Sequence, residues 1–318
     1  MGSDPVFHRC YYYLTYRCNS RCAYCDIWRV RRMVGQEQGI DEIATNLRAL
    51  KNLGVRYVDF TGGEIFLRDD LPEILAAAKE SGFPIILTTN GLAYERHAEA
   101  LLGVAEFINF SLDTLNPETY KARRGVDGLD TAVRAMGKAM GLGQKCGILA
   151  TIDSENVDEI DDLISLSGKL GIKLSLNPAF SYNETGKPPV RKALERLYDL
   201  AGRKDVYVNA AQVELIALGG NSVRRPRCSA MSRNVVISPD NYLLLPCFHY
   251  RTEKIKIDGD LEEILRSDRV AGLRAKEGRF PFCEGCTINC YMDTANLRVE
   301  ELTTLSAPID RTNGVTQC

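Results

Sequence analysis

The chain has no apolar run approaching the 18 or more residues that a membrane span needs. It has almost no charge imbalance. Forty basic side chains stand against 42 acidic ones, for a net charge of −2, so bulk charge makes no case for nucleic acid or an anionic membrane. The first ten residues carry Asp4, His8 and Arg9 and no apolar core for export, so a cytoplasmic protein is expected. No internal repeat or low-complexity tract is present. Hydrophobic residues are 45% and charged residues 26%, ordinary for a soluble globule, which excludes disordered, collagenous and coiled-coil classes. At about 150 residues per domain, 318 residues allow two domains, or one large α/β domain with an appendage.

Cysteine, by contrast, is abundant: there are eleven. Cys18, Cys22 and Cys25 form one group, and Cys228, Cys247, Cys283, Cys286 and Cys290 a second. Clustered thiols in a reducing compartment are more often metal ligands or catalytic groups than crosslinks. The remaining three have plain readings. Cys10 and Cys146 fall in expected core strands, where a free thiol behaves as a small hydrophobe, and Cys318 is the last residue. His8, His97 and His249 show no ligand spacing.

The first two thirds read as alternating strands and helices. Strands are expected at Cys10–Tyr16, Val55–Thr61, Pro84–Thr89, Glu106–Leu112, Cys146–Ile152 and Ile172–Asn177. Between them, Ile40, Ile43, Ala44, Leu47, Leu50 and Leu53 recur at helical spacing, with Gly54 placed as a C-cap. Further helices are expected at Leu71–Ser81, Ala93–Leu102 and Leu129–Leu142. Another follows Asn156, where Glu159 completes a capping box. Six strand–helix units imply a parallel sheet, since parallel neighbours need crossovers. They are too few for a complete eight-fold barrel, so a partial barrel and a doubly wound sheet both fit. Either way the chemistry belongs at the C-terminal ends of the strands. Pro178–Pro189 reads as a loop, and Val190–Ala201 and Gln212–Leu218 as helices. Beyond Gly219 the pattern changes: Asn234–Ser238 and Tyr242–Leu245 flank Pro239-Asp240-Asn241 as a hairpin, and short helices follow at Leu261–Arg266 and Arg269–Lys276. A boundary is therefore expected near Gly219, with a core over 1–219 and a cysteine-rich unit over 220–318.

Three thiols on one loop suit an iron–sulfur cluster with one iron left open, since such clusters normally take four thiolates. Structural zinc would want a fourth nearby ligand, and no Cys or His lies between Asp26 and Arg96. Cys18-Asn19-Ser20-Arg21-Cys22-Ala23-Tyr24-Cys25 resembles the signature of the radical S-adenosylmethionine (SAM) enzymes. Thr61-Gly62-Gly63-Glu64, Thr89-Asn90-Gly91 and Ser111-Leu112-Asp113 close the next three strands in register with it, and Arg123-Arg124-Gly125 follows. The resemblance covers about residues 8–180.

That resemblance implies a partial (β/α)6 TIM-like barrel. Cys18, Cys22 and Cys25 would hold a [4Fe–4S] cluster whose open iron binds SAM. Gly62, Gly63 and Glu64 would receive the SAM amino group, Ser111 and Asp113 its ribose or methionyl part, and Arg124, with Arg123 as alternative, its carboxylate. Tyr24 would sit near the adenine, and Asn90 is a further candidate. The implied activity is reductive cleavage of SAM to a 5′-deoxyadenosyl radical that takes hydrogen from, or adds to, a substrate. A reductant such as flavodoxin or ferredoxin would supply the electron.

The second cysteine group resembles the twitch and SPASM extensions that add auxiliary clusters to such enzymes. The tail Cys286-Thr287-Ile288-Asn289-Cys290-Tyr291 also resembles the adenosylhopene synthase branch. Cys228, Cys247, Cys283 and Cys286 are the expected ligands of a second [4Fe–4S] cluster, with Cys290 in reserve; a zinc knuckle would use the same thiols. Such a cluster would serve electron transfer or substrate anchoring. About nine residues precede the first strand, too few for a leader-binding domain, so a small molecule, lipid or tetrapyrrole is expected rather than a ribosomal peptide. The competing readings are a peptide maturase, an iron–sulfur electron carrier and a zinc-stabilised binding protein.

Overall fold

The structure, a computed structural model, describes residues 6–30, 35–180 and 191–288. Strand β1 (Arg9–Thr15) leads through α1 (Ile27–Val30) and α2 (Ile40–Asn52) to β2 (Tyr57–Gly62). Then come α3 (Leu71–Glu80), β3 (Ile86–Thr89), β4 (Phe107–Ser111), α4 (Pro117–Arg124), α5 (Leu129–Gly141) and β5 (Cys146–Ile152). Next are α6 (Ile160–Leu170), β6 (Lys173–Pro178), α7 (Arg191–Leu200), β7 (Val206–Val208) and α8 (Ala210–Ala217). The chain continues through β8 (Asn234–Ile237), β9 (Tyr242–Leu245), β10 (Glu253–Lys256), α9 (Leu261–Arg266) and α10 (Asp268–Arg274).

The strands form two hydrogen-bonded arcs, β10-β9-β8-β1-β2 and β3-β4-β5-β6-β7, with β2 packed beside β3. Pairing is parallel from β3 to β7 and across β8, β1 and β2. One cavity is lined from β1, β2, β3, β4, β5 and β6 together with Tyr207 of β7. The arcs therefore curve around a common lumen, which selects the partial barrel over the flat doubly wound sheet. The helices bury their apolar stripes against the outside; Ile43, Leu47 and Leu50 of α2 are fully buried.

The hairpin after Gly219 does not stand apart. β8 pairs in parallel with β1, Arg9 opposite Asn234 and Tyr12 opposite Ile237. Its turn is held by a buried polar network. Asn46 donates to Asn241 Oδ1 at 2.9 Å and to the Tyr12 hydroxyl at 2.9 Å, and Gln38 donates to the Ser238 carbonyl at 2.8 Å. Asn241 takes φ +63°, a conformation Asn tolerates better than most residues. The sheet thus crosses the boundary expected at Gly219. Among the described residues, no helix is long and apolar enough to cross a membrane.

The structure departs from expectation in four places. Ala93–Leu102 is not a continuous helix: it holds a 3-10 turn, Tyr94–Arg96, and further turns. Its periodicity is real, since Tyr94, Ala98 and Leu101 are buried, but the His97 ring meets the Arg68 carbonyl at 2.9 Å and Tyr94 packs edge-on to Phe110. These tertiary anchors hold the backbone in turns. Helix α4 was not expected, yet it is well signalled: Asn116 accepts from the Glu118 and Thr119 amides, Pro117 stands at the first helical position, and Gly125 closes it at φ +64°. The short helix α1 and strands β7 and β10 are also additional. Finally, Asn156 does not cap a helix; its amide donates to the Asp113 and Thr151 carbonyls. The expected partner Glu159 accepts instead from the Thr114 and Thr119 hydroxyls. Both residues hold the chain that carries Asp113.

Candidate active site

The Cys18–Cys25 loop leaves β1 at its C-terminal end and is clamped from three sides. Where β2 ends, the Gly63 amide donates to the Thr15 carbonyl and the Glu64 amide to the Arg17 carbonyl, both at 2.8 Å. From beyond β4, the Arg124 and Arg123 carbonyls accept from the Arg21 and Ala23 amides, both at 2.9 Å. From the end of β3, Asn90 donates to Asn19 Oδ1 at 2.7 Å and to Ser20 Oγ at 3.0 Å. The loop is therefore built into the strand ends as an extra run of backbone pairing.

The glycines are explained by this clamp. A Cβ on Gly62 would lie 2.0 Å from the Thr15 carbonyl oxygen, and one on Gly63 2.0 Å from that of Arg17. One on Gly125 would lie 2.4 Å from that of Arg21. In each case the close approach is to the cysteine-bearing chain.

The expected polar residues gather at the same strand ends. Glu64 is buried; its carboxylate accepts from the Thr89 hydroxyl at 2.9 Å and from the Asn90 amide at 2.8 Å. Burial pushes it up to about 7, against the hydrogen bonds from Asn90, Thr89 and Phe66 that hold it down. Asp113 is 0% exposed and fully engaged. Oδ1 meets Arg124 Nη2 at 2.9 Å and the Thr151 amide at 2.8 Å, while Oδ2 accepts from the Tyr24 hydroxyl at 2.5 Å. Tyr24 is thereby fixed under both guanidinium groups, 5.2 Å from Arg123 and 5.7 Å from Arg124. Arg123 is held by Asp153 at 2.7 Å and the Thr151 carbonyl at 2.9 Å. Arg124 keeps its buried Nε without a hydrogen-bond partner among the described residues. Ser111 ends β4, two residues beyond Asn109, which faces the lumen; strand alternation puts Ser111 on that same face.

This arrangement carries a stability cost if broken. Replacing Asp113 with Ala would leave Arg124 buried without its carboxylate and Tyr24 without its acceptor. Removing one partner of a buried pair typically costs about 3–5 kcal/mol. Denaturant unfolding of Asp113→Ala is expected to show a loss of that order, and Asp113→Asn a smaller one; an unchanged midpoint would refute the network's structural weight.

The donor chemistry of the loop fits a cluster. Burial pushes Cys18 up to about 11 and Cys25 to about 12, with neighbouring sulfurs contributing the same way. A bare thiolate is disfavoured there, whereas coordination to a cationic centre would supply the missing charge. The orphaned Arg124 Nε in turn fits a carboxylate, as in an amino-acid-bearing ligand.

The second set of thiols also converges. Cys228, Cys247, Cys283 and Cys286 line one cavity with Gly278 and Ile288. Burial pushes Cys247 up to about 12 and Cys283 to about 11, and raises Cys228 and Cys286 as well. Cys290 lies outside the described residues. Asn221 organises this cavity and was not expected from the sequence. Its side chain donates to the Gly278 carbonyl at 3.1 Å and the Cys283 carbonyl at 3.0 Å, and accepts from the Arg227 amide at 2.9 Å. The signal available was its place directly after Gly219-Gly220, of which Gly220 would meet the Gly285 carbonyl oxygen at 2.4 Å if it bore a Cβ. Among the described residues no three His, Cys, Asp or Glu side chains close up as ligands of a single metal ion.

Comparison with known proteins places these features. Residues 12–167 match the sequence profile of the radical SAM superfamily. The chain is 30% identical over 288 residues to a probable GTP 3′,8-cyclase of Archaeoglobus fulgidus, covering 84% of this chain and 94% of that protein. It is 26% identical over 295 residues to one of Methanococcus maripaludis, covering 85% and 94%. Among solved structures, Streptococcus suis SuiB bound to precursor peptide SuiA superposes with a TM-score of 0.67 at 19% identity, over 85% of this chain and 67% of that one. The anSMEcpe enzyme with bound AdoMet gives 0.62 at 17% identity, over 83% and 82%. At such identities the structural likeness concerns the fold.

Proposed function

Because the chain belongs to the radical SAM superfamily, whose members use a [4Fe–4S] cluster and SAM, we propose that it binds both at the clamped loop and acts on a small molecule held in the barrel lumen. When bound, the cluster would pass one electron from an external reductant into SAM, giving methionine and a 5′-deoxyadenosyl radical that removes hydrogen from a substrate carbon or adds to it. The protein supplies the rest. Cys18, Cys22 and Cys25 hold the cluster and leave one iron open. The Gly62–Glu64 segment, Asn90 and Ser111 receive the amino end and sugar of SAM, and Arg124 takes its carboxylate through the unpartnered Nε. Asp113 orients Arg124 and Tyr24 rather than reaching the ligand itself, since both of its oxygens are engaged. The observation that carries the reading is the triple clamp on the cysteine loop, which has no purpose in a mere turn.

A small-molecule substrate is supported by the relatives at 26–30% identity, which align over nearly their whole length and are named for a nucleotide. GTP is thus the first substrate to test, ahead of lipids and tetrapyrroles. We further propose that residues 220–318 carry a second [4Fe–4S] cluster on Cys228, Cys247, Cys283 and Cys286, with Cys290 as a reserve ligand. Full thiolate ligation would suit electron transfer to or from substrate, and an open iron would suit anchoring.

The test is anaerobic reconstitution with iron and sulfide, followed by dithionite and SAM. Formation of 5′-deoxyadenosine is expected. Its absence from protein loaded with about four irons per site would overturn the proposal.

A further inference from the structure

The residues assigned above to the cofactor come from one side of the barrel mouth. The cysteine loop follows β1, Gly63 and Glu64 follow β2, Asn90 follows β3 and Ser111 ends β4. Strands β6 and β7, at the far end of the second arc, carry none of them. They nevertheless line the lumen with polar residues: Ser175 and Asn177 from β6, and Asn209 directly after β7.

The strand register sets their height. Leu149 of β5 lies opposite Ser175, Thr151 opposite Asn177, and Leu176 of β6 opposite Val208 of β7. One residue beyond Leu176 and Val208 stand Asn177 and Asn209, on neighbouring strands about 4.8 Å apart. Asn177 is the last residue but one of its strand, as are Thr61 of β2 and Thr88 of β3 across the lumen. The charged lining residues are Arg9, Asp59 and Lys173. Arg9 and Lys173 open their strands, and Arg9 meets Asp59 at 3.4 Å. Lys173 starts four residues before Asn177, about 13 Å along β6. The lining at the mouth is therefore uncharged.

The Asn177 side chain makes no hydrogen bond among the described residues. Asn209 uses only Oδ1, which accepts from the Gln212 amide at 3.1 Å. One whole primary amide and the donor half of a second thus line a cavity of about 380 Å³, within the range of small-molecule sites. A primary amide sets an acceptor beside two donors, the complement of a ring edge that carries a donor next to an acceptor. A carboxylate or phosphate would meet the amide oxygen as well as its donors, and a hydrocarbon would leave the amides unpaired.

We propose that Asn177 and Asn209 form a specificity subsite that binds the uncharged lactam edge of a nucleobase, across the mouth from the cofactor strands. The proposal deepens the reading above and rests on it for where the cofactor stands. Asn177, with both functions free, reads the edge; Asn209 adds a donor. Leu149, beside Ser175, offers an apolar surface to the ring.

The experiment is isothermal titration calorimetry of the reconstituted enzyme with saturating SAM and no reductant, so that the SAM pocket is filled. The probes are inosine and purine riboside, which share ring and sugar and differ in the lactam. Inosine is expected to bind about tenfold or more tighter. Asn177→Leu, which keeps the bulk and removes the amide, is expected to abolish that preference. Circular dichroism checks its fold, and Asn177→Ser replaces it if that variant is unfolded. No inosine binding, equal binding of both nucleosides by the wild type, or an undiminished preference in a folded variant would overturn the subsite. The dithionite assay runs on the same wild-type preparation. An enzyme that cleaves SAM yet shows no inosine preference loses the subsite and keeps its proposed activity.

Discussion

An enzyme in which Cys18, Cys22 and Cys25 are together replaced by alanine is expected to make no 5′-deoxyadenosine above background while keeping about four irons per chain. The first outcome follows from the donor set. Three half-buried thiols share one loop, and burial disfavours Cys18 and Cys25 as free thiolates, so the loop is built for a cationic group. Without them no thiolate is left on that loop to hold the cluster. The second outcome follows from the separate cavity of Cys228, Cys247, Cys283 and Cys286, organised by Asn221 and by backbone of 220–288. Iron counting and anaerobic absorption spectra read both at once. Persistent 5′-deoxyadenosine would remove the first site from the chemistry. Loss of all iron from a folded variant would remove the second cluster.

A single methyl group at Gly63 should be nearly as damaging. Its carbon would lie 2.0 Å from the Arg17 carbonyl oxygen and 3.1 Å from Cys18 Cβ. The contact is with backbone, which has no rotamer to yield, so the Cys18 end of the loop must move and the Glu64 amide bond to Arg17 must lengthen. A displacement of about 1 Å at a reacting centre costs on the order of 10²-fold in rate. Gly63→Ala is therefore expected to lower the rate of 5′-deoxyadenosine formation by about that factor, with cluster absorption weakened and helical content unchanged. Gly137→Ala is the matched control: it lies inside α5, and its added carbon meets nothing within 4 Å. A Gly63→Ala rate within a few-fold of the control would mean the loop has slack and the clamp argument is wrong.

Much of the fold was legible because periodicity reports burial. The stripe Ile43, Leu47 and Leu50 and the strands at 55–61, 106–112 and 146–152 needed only local spacing to be read. Misreadings occurred where a distant group overrode a local signal. His97 and Tyr94 are tied to Arg68 and Phe110, so a helical stripe became turns. Asn156 bears a capping pattern, yet its amide is taken by Asp113. In α4 the local signals are sufficient, with Asn116-Pro117 opening the helix and Gly125 closing it.

The sequence alone determined the spacing of Cys18, Cys22 and Cys25, the order of strand-end motifs and the alternation that makes a parallel sheet, because each depends on neighbours within a few residues. Only the tertiary structure decided that β8 extends the barrel beside β1, that Asp113 is a buried organiser of Tyr24 and Arg124, and that Gly62, Gly63 and Gly125 yield space to the cysteine loop. These are contacts between groups tens to hundreds of residues apart. A pattern of burial says that a residue faces inward, but which partner it meets there is set by how the strands close around one another.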